Sequence, residues 1–128
     1  IFPGGFGAAK NLSTVAYDGA EAKVTPEVER SIRDMVAAKK PIGALCIAPA
    51  FVAKVLEGVE VTIGNDAGTI AAIEAMGSHH KQTAHGEVVI DQNFKVFSTP
   101  CYMLDATILD IELGVNHLVA AIMESIKD

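Results

Sequence analysis

Residues 41–46 form a continuous apolar run, PIGALC, that passes without a spacer into a segment of helical periodicity. A short, uninterrupted apolar run is typical of a parallel strand that is covered on both faces. After it, apolar side chains recur at helical spacing at Ala48, Phe51, Val52, Val55 and Leu56. The pattern predicts a buried strand, a sharp turn at Cys46 and an amphipathic helix that ends near Glu57.

Helix and strand signals alternate on either side of this run. Thr25-Pro26-Glu27 is a strong helix start because Thr caps the helix, Pro fits its first turn and an acidic residue follows. That helix should end at Lys39-Lys40-Pro41. Residues 59–63 are the next predicted strand, and Asn65-Asp66 begin a helix that runs through Met76. Such alternation predicts βαβ units around a parallel sheet.

The pattern changes after Gly77. Residues 87–91 and 94–98 flank a polar turn and predict a β-hairpin that joins the sheet. Apolar residues then keep helical spacing from about Met103 to Ser125, which predicts the longest helix, packed across the sheet. The predicted fold class is α/β, a three-layer sandwich with a parallel sheet and a C-terminal hairpin, in one domain over residues 1–128.

The first residues predict a strand end and a glycine-rich turn. Ile1-Phe2 is followed at once by Pro3-Gly4-Gly5-Phe6-Gly7, a turn that can bring backbone N–H groups close to a ligand. The turn lacks the phosphate-binding patterns GxGxxG and GxxxxGK[ST]. Because domains do not normally begin at the end of a strand, we expect this one to be incomplete at its N-terminus, with one or more strands missing.

The composition argues against several classes of protein. The net charge is −6, and the ten basic residues are scattered rather than gathered into the stripe that binds nucleic acid. No apolar stretch approaches the roughly 20 residues that a membrane span needs. The two cysteines have neither CxxC nor Cys/His ligand spacing, so we expect a reducing compartment, no structural disulfide and no metal site.

Cys46 is the candidate chemical centre. Small residues at Ala44 and Ala48 let the backbone fold tightly around it, as in a nucleophile elbow with Cys in place of Ser. The following helix directs the positive end of its dipole at the sulfur, which favours the thiolate. The alternative is a small buried hydrophobic residue. For Cys101, just before the last helix, a packing role is the favoured interpretation.

Several motifs together resemble one family over essentially the whole chain. They are PGGFGAAKNLS at 3–13, CIAPA at 46–50, TIG at 62–64, STP at 98–100 and Tyr102-Met103. These resemble the ElbB-type proteins, the isoprenoid-biosynthesis-linked, amidotransferase-like glyoxalases of the PfpI and class I glutamine amidotransferase-like superfamily. The resemblance implies a flavodoxin-like sandwich of which this chain is the C-terminal two thirds.

The resemblance also implies roles for particular residues. Cys46 would be the elbow nucleophile, and the backbone N–H groups of Gly5 and Ile47 would bind an oxyanion. The superfamily usually adds a glutamate from the N-terminal segment. His80 and His85 follow Gly77, where relatives place a triad histidine, and are the candidate bases, although each also fits a loop or surface position.

Three functions are compatible with these residues. The leading hypothesis is a cofactor-independent glyoxalase-like lyase that converts glyoxal or methylglyoxal to a hydroxy acid through a hemithioacetal on Cys46. The alternative is a redox-sensing or binding module whose elbow cysteine oxidises. A glutaminase is least supported, because the chain has the H-x-E pattern at 85–87 but lacks a Gly-x-Cys-x-Gly elbow.

The expected partners are a small-molecule aldehyde substrate and a second copy of the chain in a homodimer, with no nucleic acid and no membrane. No cofactor and no metal are expected. The expected location is cytoplasmic, or mitochondrial if the source is eukaryotic.

Overall fold

The computed structural model describes residues 1–127, in which helices and strands alternate from Pro26 to His80. The helices are α1 (Phe6–Asn11), α2 (Val15–Asp18), α3 (Pro26–Ala37), α4 (Ala48–Val55), α5 (Ala67–Ala75) and α6 (Ile108–Ser125). The strands are β1 (Ile42–Leu45), β2 (Glu60–Val61), β3 (His79–His80), β4 (Val89–Asp91) and β5 (Val96–Thr99). Short 3-10 turns occupy Gly19–Glu21 and Cys101–Met103. No helix within residues 1–127 is long and apolar enough to cross a membrane.

The main sheet is mixed, with strand order β1-β5-β4. Strands β1 and β5 are parallel and place Leu45 opposite Thr99, and β4 pairs with β5 as an antiparallel hairpin. Phe2 adds a parallel bridge to Ala44 on the other side of β1. The predicted α/β class and hairpin are therefore confirmed, and the second hairpin strand lies in the middle of the sheet.

The helices cover both faces of this sheet. On one face Ile32 of α3, Phe51 of α4 and Ile73 of α5 belong to one buried apolar cluster. On the other face Leu118 of α6 packs with Leu45 and Phe97 in a second cluster. The result is the expected three-layer arrangement, in which burial of apolar side chains on both faces stabilises the sheet.

Only part of the predicted strand at residues 59–63 pairs with a neighbouring strand through backbone hydrogen bonds. Strand β2 pairs in parallel with β3, where a loop had been expected. Toward the main sheet, its N–H groups donate instead to side chains, with Glu60 N 2.8 Å from Asp91 Oδ2 and Thr62 N 3.0 Å from Ser98 Oγ. We call these two bonds the side-chain seam. The seam satisfies the buried N–H of Thr62 and the part-buried N–H of Glu60, which a ladder would otherwise pair.

The last helix begins later than its apolar pattern predicts. Helix α6 starts at Ile108 rather than near Met103, because Thr107 and Asp110 form a reciprocal capping box at its N-terminus. The residues before it form the 3-10 turn that contains Cys101. The helix still packs across the sheet as expected, close against Gly43, where an added Cβ would lie 3.0 Å from Ile122 Cδ1.

The side-chain seam should contribute measurably to stability. The Asp91 carboxylate accepts from Glu60 N through Oδ2 and from Phe94 N through Oδ1, both at 2.8 Å. We expect Asp91→Ala to lower the free energy of unfolding by about 2–4 kcal/mol in urea denaturation, since two donors lose a charged acceptor. The exposed control Asp105→Ala should change it by about 0.5 kcal/mol or less. Equal effects of the two substitutions would contradict this role.

Candidate functional site

Cys46 lies on a sharp strand–turn–helix connection. Strand β1 ends at Leu45, Cys46 adopts a left-handed φ of 63°, and α4 begins two residues later at Ala48. Its N–H donates to the carbonyl oxygen of Thr99 at 3.1 Å. A left-handed conformation costs a non-glycine residue about 1–2 kcal/mol, so the surrounding structure must hold it. The residue has the geometry expected of a nucleophile elbow, with its side chain half-buried.

The glycine turn packs directly against this elbow. A Cβ added at Gly4 would lie 2.5 Å from the carbonyl oxygen of Leu45 and 2.8 Å from the Cβ of Cys46. Gly4 also has a φ of 91°, and Gly5 has φ 91° and ψ 152°, a region that is essentially confined to glycine. The close contact and the backbone conformation both require glycine at position 4.

The two proposed oxyanion donors have unengaged N–H groups. In the part of the chain that the structure describes, neither Gly5 nor Ile47 donates a backbone hydrogen bond. Ile47 is the N-cap residue of α4, so its N–H is one of the donors that a helix start leaves unpaired. Gly5 is the N-cap residue of α1 and follows the glycine that touches Cys46.

A cavity of about 430 Å³ opens beside Cys46. It is lined by Phe6, Ala9, Val15, Ala16, Cys46, Ile47, Asp66, Thr69 and Met103. Most of these side chains are apolar, so a ligand would leave water as it approaches the sulfur. The structure thus brings Cys46 and Ile47 into one cavity wall, with the glycine turn against them.

Asp66 is the carboxylate of this cavity, and the sequence identified it only as a helix cap. Its Oδ2 accepts from Thr69 N at 3.0 Å and from Thr69 Oγ1 at 2.7 Å, at the start of α5. These bonds to the Thr69 hydroxyl and N–H lower the pKa of Asp66, so it remains anionic. The local sequence predicts its capping role, whereas its place in the Cys46 cavity depends on how α5 packs.

His80 and His85 lie in other surroundings. His80 Nε2 accepts a hydrogen bond from the N–H of Ile63 at 3.0 Å, which fixes the proton of the neutral ring on Nδ1. Burial lowers the pKa of His80, and the nearby Glu74 carboxylate opposes this effect. His85 lines a different and larger cavity, of about 590 Å³, together with Glu87. Neither histidine lines the Cys46 cavity.

The other two histidines, His79 and His117, do not line the Cys46 cavity. His117 Nδ1 lies 2.7 Å from the carbonyl oxygen of Gly86, which ties α6 to the loop before β4. His79 is exposed on β3. Among residues 1–127, no group of three or more His, Cys, Asp or Glu side chains is placed to hold a metal ion.

The α/β sandwich with helices on both faces is the amidotransferase-like, flavodoxin-like fold. A crystal structure described as an isoprenoid biosynthesis protein with an amidotransferase-like domain, from Ehrlichia chaffeensis, superposes with a TM-score of 0.87 at 34% identity. The match covers 98% of this chain and 57% of that one. It supports the class I glutamine amidotransferase-like superfamily, as the sequence motifs implied.

Relatives with known names agree with this placement. The chain is 46% identical over 133 residues to the mitochondrial ES1 protein homolog of Rattus norvegicus. It is 47% identical over 133 residues to the mitochondrial glutamine amidotransferase-like class 1 domain-containing protein 3 of Homo sapiens. Each match covers 97% of this chain and 50% of the relative, so the chain spans about half the length of these curated relatives. No protein-family model matches the chain.

The lowered pKa of His80 predicts a pH-dependent stability. The unfolded state takes up a proton near the ordinary pKa of about 6.5, whereas the folded state does so at lower pH. The contribution of His80 to the free energy of unfolding is therefore fully present above about pH 6.5. It is lost as the pH drops through the pKa of the folded state. We expect His80→Gln to remove this part of the pH dependence in denaturation series between about pH 5 and pH 8. Parallel curves for the two proteins would contradict it.

Gly4 and Gly5 form a matched pair for testing the contact with Cys46. Both have φ 91°, but an added Cβ meets Leu45 and Cys46 only at Gly4, with nothing within 4 Å at Gly5. We expect Gly4→Ala to lower the free energy of unfolding by about 1–3 kcal/mol more than Gly5→Ala, because only the former overpacks the elbow. Urea denaturation measures the difference, and equal losses would show that backbone strain alone matters.

Proposed function

We propose that this chain carries the nucleophile and the oxyanion-binding groups of a cofactor-independent glyoxalase-like enzyme. The substrates would be small 2-oxoaldehydes such as glyoxal and methylglyoxal, and the products hydroxy acids. The observation that carries the proposal is the left-handed Cys46, which lines an apolar cavity together with Ile47, whose N–H is unengaged. The N–H of Gly5 is also unengaged and follows Gly4, the glycine that packs against Cys46. The motif resemblance to ElbB-type glyoxalases adds independent support.

The proposed reaction begins at the sulfur of Cys46. The thiolate adds to the aldehyde carbon, a C–S bond forms, and the carbonyl π electrons move to the oxygen. The N–H groups of Gly5 and Ile47 donate to this oxygen, where charge develops in the transition state. The product of this step is a hemithioacetal on Cys46.

A proton transfer and a hydrolysis complete the conversion. A base moves the carbon-bound proton of the hemithioacetal to the neighbouring carbonyl carbon through an enediol, which leaves a thioester on Cys46. Water then hydrolyses the thioester to the hydroxy acid and the free thiolate. The aldehyde carbon is oxidised while its neighbour is reduced, so the sequence consumes water and no external oxidant.

The proposed base is the glutamate that the family resemblance implies for a segment N-terminal to Ile1. His85 lines a separate cavity, and His80 Nε2 already accepts from Ile63 N, so both are weaker candidates. Asp66 has a lowered pKa and keeps its negative charge at the cavity wall. Asp66 is exposed, so solvent screens its charge, and its carboxylate disfavours anionic ligands only weakly. This weak effect agrees with neutral dicarbonyl substrates.

The second candidate function is redox sensing at Cys46. It is favoured by a half-buried elbow cysteine at the end of β1, with a second free thiol, Cys101, after the neighbouring parallel strand β5. In this case mild peroxide would add oxygen atoms to Cys46 without any aldehyde turnover. Intact-mass measurement together with an aldehyde-consumption assay separates the two functions.

The cellular location and the oligomeric state of the whole protein are also proposals. The names of both mammalian relatives state a mitochondrial location for those proteins, which agrees with the mitochondrial option and leaves the cytoplasmic one a prediction. A homodimer is the proposed assembly, and sedimentation of the full-length protein tests it.

The proposed chemistry requires the sulfur of Cys46. In the full-length protein, we expect Cys46→Ala and Cys46→Ser to abolish consumption of methylglyoxal, because neither side chain supplies a thiolate. Cys101→Ser is the matched control and should retain turnover under reducing conditions. Loss of dicarbonyl and release of hydroxy acid measure the reaction. Undiminished turnover in Cys46→Ala would refute the proposal.

A further inference from the structure

The two cysteines leave the main sheet at the same edge. Strands β1 and β5 are parallel neighbours, and their last pair is Leu45 with Thr99. Cys46 follows that pair by one residue and Cys101 by two, so both lie just beyond the carboxyl ends of their strands. The N–H of Cys46 lies 3.1 Å from the carbonyl oxygen of Thr99, which keeps the two backbones together past the end of the ladder.

The two cysteines have similar exposure and backbone conformation. Both cysteines are free thiols of intermediate exposure, and both have a left-handed backbone, with φ 63° at Cys46 and 47° at Cys101. Burial, and after it the charge of Cys46, raises the pKa of Cys101. The raised pKa keeps Cys101 a protonated thiol.

We propose that Cys46 and Cys101 form a reversible intramolecular disulfide when the protein meets a hydroperoxide. The Cys46 thiolate attacks the terminal oxygen of the hydroperoxide and the O–O bond breaks, giving a sulfenic acid and the alkoxide, or hydroxide when the oxidant is hydrogen peroxide. The sulfur of Cys101 then attacks the sulfenic sulfur, the S–S bond forms, and water leaves with the thiol proton. Two electrons pass from the cysteine pair to the peroxide, and a dithiol returns them on reduction.

The two cysteines emerge from adjacent strands, with Cys101 one residue further from its strand than Cys46. Neighbouring strands are spaced about 4.7–4.9 Å apart, and a disulfide joins α-carbons that are about 4.4–6.8 Å apart. Cys101 stands in a short 3-10 turn, Cys101–Met103, rather than inside α6, so the proposed bond requires movement of this turn and not of the long helix. The bond would mask the proposed nucleophile and protect it from irreversible oxidation to the sulfinic acid.

This inference shares Cys46 with the proposed glyoxalase but does not depend on aldehyde chemistry. A protein that forms the disulfide without consuming methylglyoxal would refute the proposed function and leave the inference standing. A protein that consumes methylglyoxal but forms no disulfide would refute the inference and leave the proposed function standing. Both assays are therefore run on the same full-length preparation.

Peptide mapping after brief hydrogen peroxide treatment tests the disulfide. Trypsin should separate the cysteines into peptides 40–54 and 96–127, since Pro41 blocks cleavage after Lys40. In the wild type we expect these peptides to be linked, the intact mass to fall by two hydrogen atoms, and dithiothreitol to reverse both changes. Any aldehyde turnover should be lost and regained in step.

Two variants serve as controls. Cys101→Ser should form no linked peptide and should instead accumulate oxygen on Cys46, while Cys46→Ser should form neither product. The proposal is overturned if the wild type accumulates sulfinic acid on Cys46 as fast as Cys101→Ser does. It is equally overturned if the linked peptides come only from a dimer seen on a non-reducing gel.

Discussion

The close approach of Gly4 to β1 determines the geometry around Cys46. Phe2 N donates to Gly43 O and Leu45 N donates to Phe2 O, so the first residues are held beside β1. The chain must then cross directly over the end of that strand, where Gly4 meets the Leu45 carbonyl and Cys46. No side chain fits there, and the resulting turn sets the position of the next N–H group, that of Gly5.

Much of the fold was predictable because local patterns and tertiary packing agree. Helix α3 has its Thr-Pro start, and β1 and α4 show the change of apolar period at Cys46. Strand β3 was not predictable, since His79-His80 lacks a strand pattern and is extended only by pairing with β2. Agreement between local and global preferences marks the predictable parts, and long-range pairing decides the others.

The residues of the site also fall into those that the local sequence predicts and those whose position depends on long-range packing. Cys46 and Ile47 could be located from one continuous stretch, because an elbow is a local structure. The sequence could not place Asp66 in the Cys46 cavity, because that position follows from the packing of α5. It also could not place Cys101 at the end of the neighbouring strand, because that depends on the parallel register of β5 with β1. For His80 and His85 the sequence offered only their order after Gly77, and the structure puts each against other groups.

The side-chain seam has a further consequence for how the chain finds its alignment. A backbone ladder accepts almost any sequence, because every residue but proline offers the same donor and acceptor. The seam accepts only a strand pair with oxygen-bearing side chains opposite Glu60 and Thr62, the places that Asp91 and Ser98 occupy. Because successive side chains alternate between faces, a slip of one residue would turn both oxygens away together. The seam therefore makes the alignment of these strands depend on their sequence. Exchange of the strand at residues 59–63 with a strand of an unrelated chain would lose these two hydrogen bonds.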